Sequence, residues 1–165
     1  MRKASLWIFI CLTCLPALAQ QPQPDKDKEK ERNKAVARSF FEDVLDHGRF
    51  DKYANSHASD FVAHAGDHNA TLDEDIAAAR EERRALPDMH VKVNEIVADR
   101  DLVVVYWTAS GTNTHEAMGF PATGRKISIP GMTLFRFKAG KISEEWSVFD
   151  MLSAMQQAGL LPGRQ

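Results

Sequence analysis

Cysteine is nearly missing from this 165-residue chain, and both copies, Cys11 and Cys14, fall within the first nineteen residues. Any domain beyond them has no disulfide, no thiol nucleophile and no zinc–thiolate site. Such a domain must be held by its apolar core, and residues 34–163 suffice for a single one. Charge of one sign is missing too. With 21 basic against 23 acidic residues the net is −2 and no basic stripe forms, so nucleic acid is not the expected partner. Nor does any apolar run reach the roughly 20 residues that a membrane span needs.

What is present begins with a processing signal. Arg2 and Lys3 precede an almost wholly apolar stretch over residues 6–18, and Ala17-Leu18-Ala19 gives the small-x-small pattern of a signal-peptidase site. Cleavage is expected after Ala19, with export across a bacterial inner membrane to the periplasm or medium. No stable membrane anchor then remains. A retained anchor is the alternative. A lipoprotein is not indicated, because no Gly or Ala immediately precedes Cys14. Residues 20–33 (QQPQPDKDKEKERN) carry two prolines and then alternating charges, which reads as a flexible leader whose charged half can extend the first helix by a turn.

Residues 34–163 read as one α+β domain. Ala37, Phe40, Phe41, Val44 and Leu45 recur at helical spacing, and Gly48 stands where that helix should stop. A short second helix is expected over 50–57. Thr71 and Glu74 match a capping box opening a helix that Pro87 ends. From Met89 the period becomes two. Strands are expected over 91–95, 102–108 and onward toward His115, 126–130, 132–137 and 142–149, with Ala139-Gly140 as a hairpin turn. Pro130-Gly131 predicts a bulge and a sharp bend. A last helix covers 151–157. Helices followed by antiparallel strands give the α+β pattern, and bent strands around a long helix would leave a pocket.

Strict alternation puts Ile142, Glu144, Trp146, Val148 and Asp150 on one inward face. A carboxyl at Asp150 beside Trp146 would lose solvent, rise in pKa and become usable as a general acid or base. The structural alternative is that Asp150 caps the final helix. His64 and His115 are candidates to assist by binding an anion or relaying a proton. Trp107 and Trp146 are the candidate walls, and Arg136 with Glu144 a candidate pair for binding substrate. His47, His57, His68 and His90 read as turn or exposed positions. His64, Asp67 and His68 offer nothing that fixes a coordination geometry, so no metal site is read.

The chain resembles the SnoaL-like polyketide cyclase (ester cyclase) family of the nuclear-transport-factor-2-like superfamily. The resemblance is carried by Leu86-Pro87-Asp88-Met89, by Thr114-His115 leading into residues 119–125 (GFPATGR), by residues 140–146 (GKISEEW), by Asp150 and by Gln157-Ala158-Gly159. It implies a cone-shaped curved antiparallel sheet wrapped around N-terminal helices, a homodimer formed through that sheet, an apolar pocket and no cofactor. It also implies that Asp150 is the acid/base of an intramolecular aldol ring closure. The family's partner histidine on the neighbouring strand is absent from residues 132–137 (MTLFRF). The expected function is therefore an exported cyclase, isomerase or hydrolase acting on a small apolar or carbonyl-containing molecule. A non-catalytic small-molecule-binding domain and a dimeric interaction module are the alternatives.

Overall fold

A computed structural model of the protein describes residues 24–66, 68–117 and 119–163. The expected signal peptide, its expected cleavage site and Asp67 lie outside the described residues. No helix among the described residues is long and apolar enough to cross a membrane.

The charged leader is more ordered than its composition suggests. Helix α1 spans Pro24–Ser39, taking in residues 24–33. Ion pairs one turn apart, Lys30–Asp27 at 2.9 Å and Lys34–Glu31 at 2.6 Å, favour the helix. The apolar stripe then enters a π-helical turn, Phe40–Leu45, which turns the consecutive Phe40 and Phe41 inward together. A 3₁₀ turn at Phe50–Lys52 and the one-turn helix α2 (Tyr53–Ser56) lead into β1 (His57–Ala65) and β2 (His68–Thr71). The expected capping box is formed. Thr71 accepts from Glu74 N, Glu74 accepts from Thr71 N at 2.8 Å, and α3 runs over Leu72–Ala85.

Strands β3 (His90–Asp99), β4 (Leu102–Thr112), β5 (Lys126–Lys138) and β6 (Lys141–Phe149) precede the short helix α4 (Met151–Gln157). The six strands lie in the order β2-β1-β6-β5-β4-β3. The sheet is curved, unclosed and mixed, because β1 joins β6 in parallel while every other pair is antiparallel. Helices and turns cover one face, and Phe135, Ile142, Val103 and Val105 there are fully buried.

Two departures from the expected strands decide what faces that core. Pro130-Gly131 is no break: β5 runs unbroken against β4 through Thr108↔Pro130 and Trp107↔Gly131. Pro130 is tolerated because the ladder with β6 starts only at Gly131. Glycine is required at 131 because a Cβ there would stand 2.3 Å from Trp107 Cζ2. The irregularity lies instead in β6. Phe137 pairs with Ile142 but Arg136 with Glu144, so Ser143 is an extra residue, its hydroxyl donating to Arg136 O at 3.1 Å. One extra residue reverses the facing of every side chain after it. Glu145, Ser147 and Phe149 therefore turn toward the helices, opposite Phe135, Thr133 and Gly131.

Candidate functional site

That reversal redistributes the residues that the sequence singled out. Glu144 and Trp146 point to the outer face. There Arg136 pairs with Glu144 and with Asp101, each at 2.9 Å, and its guanidinium lies 5.9 Å from the Trp146 ring. His64 stacks on Trp146 at 4.3 Å and meets Glu144 Oε2 through Nε2 at 2.9 Å. These four form one cluster on the side of the sheet away from the helices. The expectation that they line an inner pocket fails because alternation was counted through Ser143 as though no bulge stood there. Asp150 is exposed and caps α4, accepting from Ser153 N at 2.8 Å. Its carboxyl has the environment of a helix cap and not of a desolvated acid.

The cavity lies on the inner face, between β4, β5, the end of β6, α3 and α4. It measures about 140 Å³, close to the roughly 150 Å³ of an engineered apolar cavity that admits benzene. Trp107, Ile127, Ile129, Phe149 and Met155 form much of its wall. His115 also belongs to the lining, at an exposed position where it contacts Thr114 Oγ1 at 3.0 Å. Phe120, from the following loop, completes that lining.

Glu82 is the one carboxyl among the described residues of the lining. Burial, and then the nearby charge of Asp75, push its pKa up to about 7. Asn113 offers a buried Oδ1 that has no partner among the described residues, while its Nδ2 donates to Pro121 O at 3.4 Å. An apolar chamber with one titratable acid and one free acceptor is a recurring form for a small-molecule site.

Behind the cavity runs a polar network that alternation misses entirely. Trp107 Nε1 donates to Thr133 Oγ1 at 3.0 Å, Thr133 meets Ser147 Oγ at 2.7 Å, and Ser147 donates to Glu145 Oε1 at 2.7 Å. Burial and the charge of Asp75 raise the Glu145 pKa to about 8. Asp75 is also raised by burial, against a hydrogen bond from the Tyr53 hydroxyl that opposes the rise. Tyr53 is held well above the usual phenol range by burial and by the charges of Glu145 and Asp75, so it stays a donor.

His57, expected at an exposed position, is only 3 % exposed. It stacks on Tyr53 at 4.8 Å, and burial lowers its pKa to about 4, so the ring is neutral near pH 7. The sequence did carry one signal for this group. Asp75 and Glu82 are seven residues apart on the stripe of α3 that also holds Leu72, Ile76 and Ala79. Two carboxylates two turns apart on an apolar stripe are costly to bury, and that cost marks a site.

A family model described as SnoaL-like polyketide cyclase matches residues 35–158. Among solved structures, AclR from Streptomyces galilaeus, a proposed hydroxylase, is 24 % identical with a TM-score of 0.75, over 82 % of this chain and 86 % of that one. A proposed SnoaL-like polyketide cyclase from Jannaschia sp. CCS1 is 20 % identical with a TM-score of 0.75, over 87 % and 99 %. IdmH from Streptomyces antibioticus, a proposed polyketide cyclase, is 26 % identical with a TM-score of 0.68, over 77 % and 98 %. No functionally curated protein matches the sequence.

Proposed function

The chain belongs to the SnoaL-like polyketide cyclase family, and we propose on that premise that it is an exported acid–base enzyme of the cyclase or isomerase kind. Its substrate would be a small carbonyl compound, or one ring of a larger one, since the chamber matches a single six-membered ring. The observation that carries the reading is the placement of Glu82, a lone carboxyl inside an apolar cavity. Its pKa near neutrality suits proton transfer in either direction.

In the proposed step the ionised Glu82 removes a proton from the carbon beside the carbonyl, and the C–H electron pair becomes an enolate. For ring closure the enolate carbon attacks a second carbonyl of the same molecule, and Glu82 returns the proton to the alkoxide. For isomerisation the proton returns to a different carbon. Asn113 Oδ1 would accept from a substrate hydroxyl and so fix the ring's orientation, with His115 and Phe120 at the mouth. Asp150 stays outside this scheme.

The test is solvent-deuterium exchange into cyclic and linear 1,3-diketones, followed by NMR for wild type, Glu82→Gln and Asp150→Asn. Loss of about 10²-fold or more in Glu82→Gln, with Asp150→Asn near wild type, is the expected pattern. The opposite pattern returns the role to Asp150. Tight binding without exchange in any of the three proteins would mark a binding domain.

We also propose a homodimer through the outer sheet face. Tyr106, Met132 and Val148 stand opposite one another across β4, β5 and β6, and Val148 is 69 % exposed. Three aligned apolar side chains on one face suit a two-fold contact with a second copy. Cleavage after Ala19 is checked by N-terminal sequencing of the exported protein.

A further inference from the structure

One cluster takes no part in the proposed proton transfer. His57, Asp75 and Glu145 come from the start of β1, the first turn of α3 and β6 beyond its bulge, and one ligand-type atom of each lies within 4.8 Å of the others. Each side chain is already held from behind. Tyr53 O accepts a hydrogen bond from His57 Nδ1–H at 3.0 Å, so in the neutral ring the lone pair is on Nε2. The Tyr53 hydroxyl holds Asp75 through Oδ2, and Ser147 holds Glu145 through Oε1. What is left over is telling. His57 Nε2 and Glu145 Oε2 are buried and have no hydrogen-bond partner among the described residues.

Two buried acceptor atoms without a donor, beside a second carboxylate, are satisfied either by a proton held between them or by a positive centre. A protein cation does not supply it. Lys141, the cation whose charge reaches His57, donates to Asn55 O, the other charges acting on Glu145 are the carboxylates Asp75 and Glu82, and Arg136 is engaged on the opposite face. Outer hydrogen bonds that orient each ligand, an imidazole donating its far N–H to a backbone carbonyl among them, are the usual surroundings of a metal ion.

We propose that His57, Asp75 and Glu145 form a binding site for a divalent first-row transition-metal ion. One imidazole nitrogen and two carboxylate groups, with no thiolate, suit Zn²⁺ or Mn²⁺ better than the all-oxygen preference of Ca²⁺ or Mg²⁺. Bonds of about 2.0–2.2 Å place neighbouring ligand atoms roughly 3 Å apart, so modest side-chain closure completes the set. None of its three residues lines the cavity, so metal binding can be measured apart from the acid–base reading.

The test uses the full mature protein, stripped with EDTA and titrated by calorimetry with ZnCl₂, MnCl₂, MgCl₂ and CaCl₂ in turn. Melting temperature is followed in parallel. The expected result is one equivalent of Zn²⁺ or Mn²⁺ per chain, with a melting temperature about 5 °C higher at a hundredfold excess over Kd. Glu145→Gln and His57→Gln should each weaken binding by about 10²-fold or more, while His64→Gln, on the outer face, should not. Glu145→Gln removes the ionisable oxygen and keeps the shape, so its fold should persist and can be confirmed by circular dichroism. Absence of a stoichiometric site, or binding that survives in both Glu145→Gln and His57→Gln, overturns the proposal. Failure of deuterium exchange leaves it untouched, which separates it from the acid–base reading.

Discussion

Ser147 Oγ donates to Glu145 Oε1 across 2.7 Å, two residues away on the same face of β6. That bond is the one partner the Glu145 carboxyl has among the described residues, since Oε2 has none. Ser147→Ala should therefore leave the whole group unsatisfied in the interior and cost about 1–3 kcal/mol in urea denaturation of the metal-free protein. In a Glu145→Leu background the same change should cost under about 0.5 kcal/mol. Equal costs in both backgrounds would show that Ser147 acts by packing and not through Glu145.

Stability should fall as pH rises from about 4.5 to about 7. Glu82 has a pKa of about 7 in the fold against 4.5 for the free group, so the folded state holds a proton that the unfolded state has released. Its contribution is complete below about pH 4.5 and is lost progressively as pH rises through about 7, at roughly 1.4 kcal/mol per unit. Glu82→Gln, metal-free, should flatten unfolding free energy over this window. Identical pH slopes for the two proteins would refute the shift.

Gly131→Ala tests the seat of Trp107. The added methyl would meet the indole at 2.3 Å, so the ring must move or the strand must bend. A loss of about 1–3 kcal/mol is expected, together with a shift in tryptophan emission as the cavity wall is displaced. A stable variant with unchanged emission would show that Trp107 is not wedged there.

Val148→Glu addresses the outer face. With Tyr106 and Met132 opposite it in the ladder, a charge there should convert a dimer to a monomer in sedimentation, with the fold unchanged. A wild-type protein that sediments as a monomer at all concentrations removes the proposal.

Much of the architecture was legible in the chain, because helical spacing around Phe40 and Phe41, the Thr71/Glu74 box and the period-two run after Met89 are local signals. The remainder depended on register, which is not local. The extra residue at Ser143 can be seen only by pairing β6 with β5, where Phe137 meets Ile142 and Arg136 meets Glu144. His57 was missed for a similar reason, since its burial comes from Phe40, Tyr53 and Phe61 closing around it in three dimensions. Asp75 and Glu82 were readable as acids on an apolar stripe, a signal that the attention given to Asp150 passed over. The leader's helix was only half visible, as alternating charges suit both a solvated tether and pairs one turn apart.

The bulge at Ser143 also leaves β6 a second register. Were Ser143 to pair with Arg136 instead of standing out of the ladder, every later residue would move up one place. Glu144, Trp146 and Val148 would then turn inward, and Glu145, Ser147 and Phe149 outward, so chamber wall, polar network and exposed apolar strip would trade owners. Deleting Ser143 has no such effect, because Ile142 would stay opposite Phe137 and Glu144 opposite Arg136. What decides which face carries the chemistry is thus whether the strand holds its surplus residue outside the ladder, a choice that the Ser143 hydroxyl secures by donating to Arg136 O.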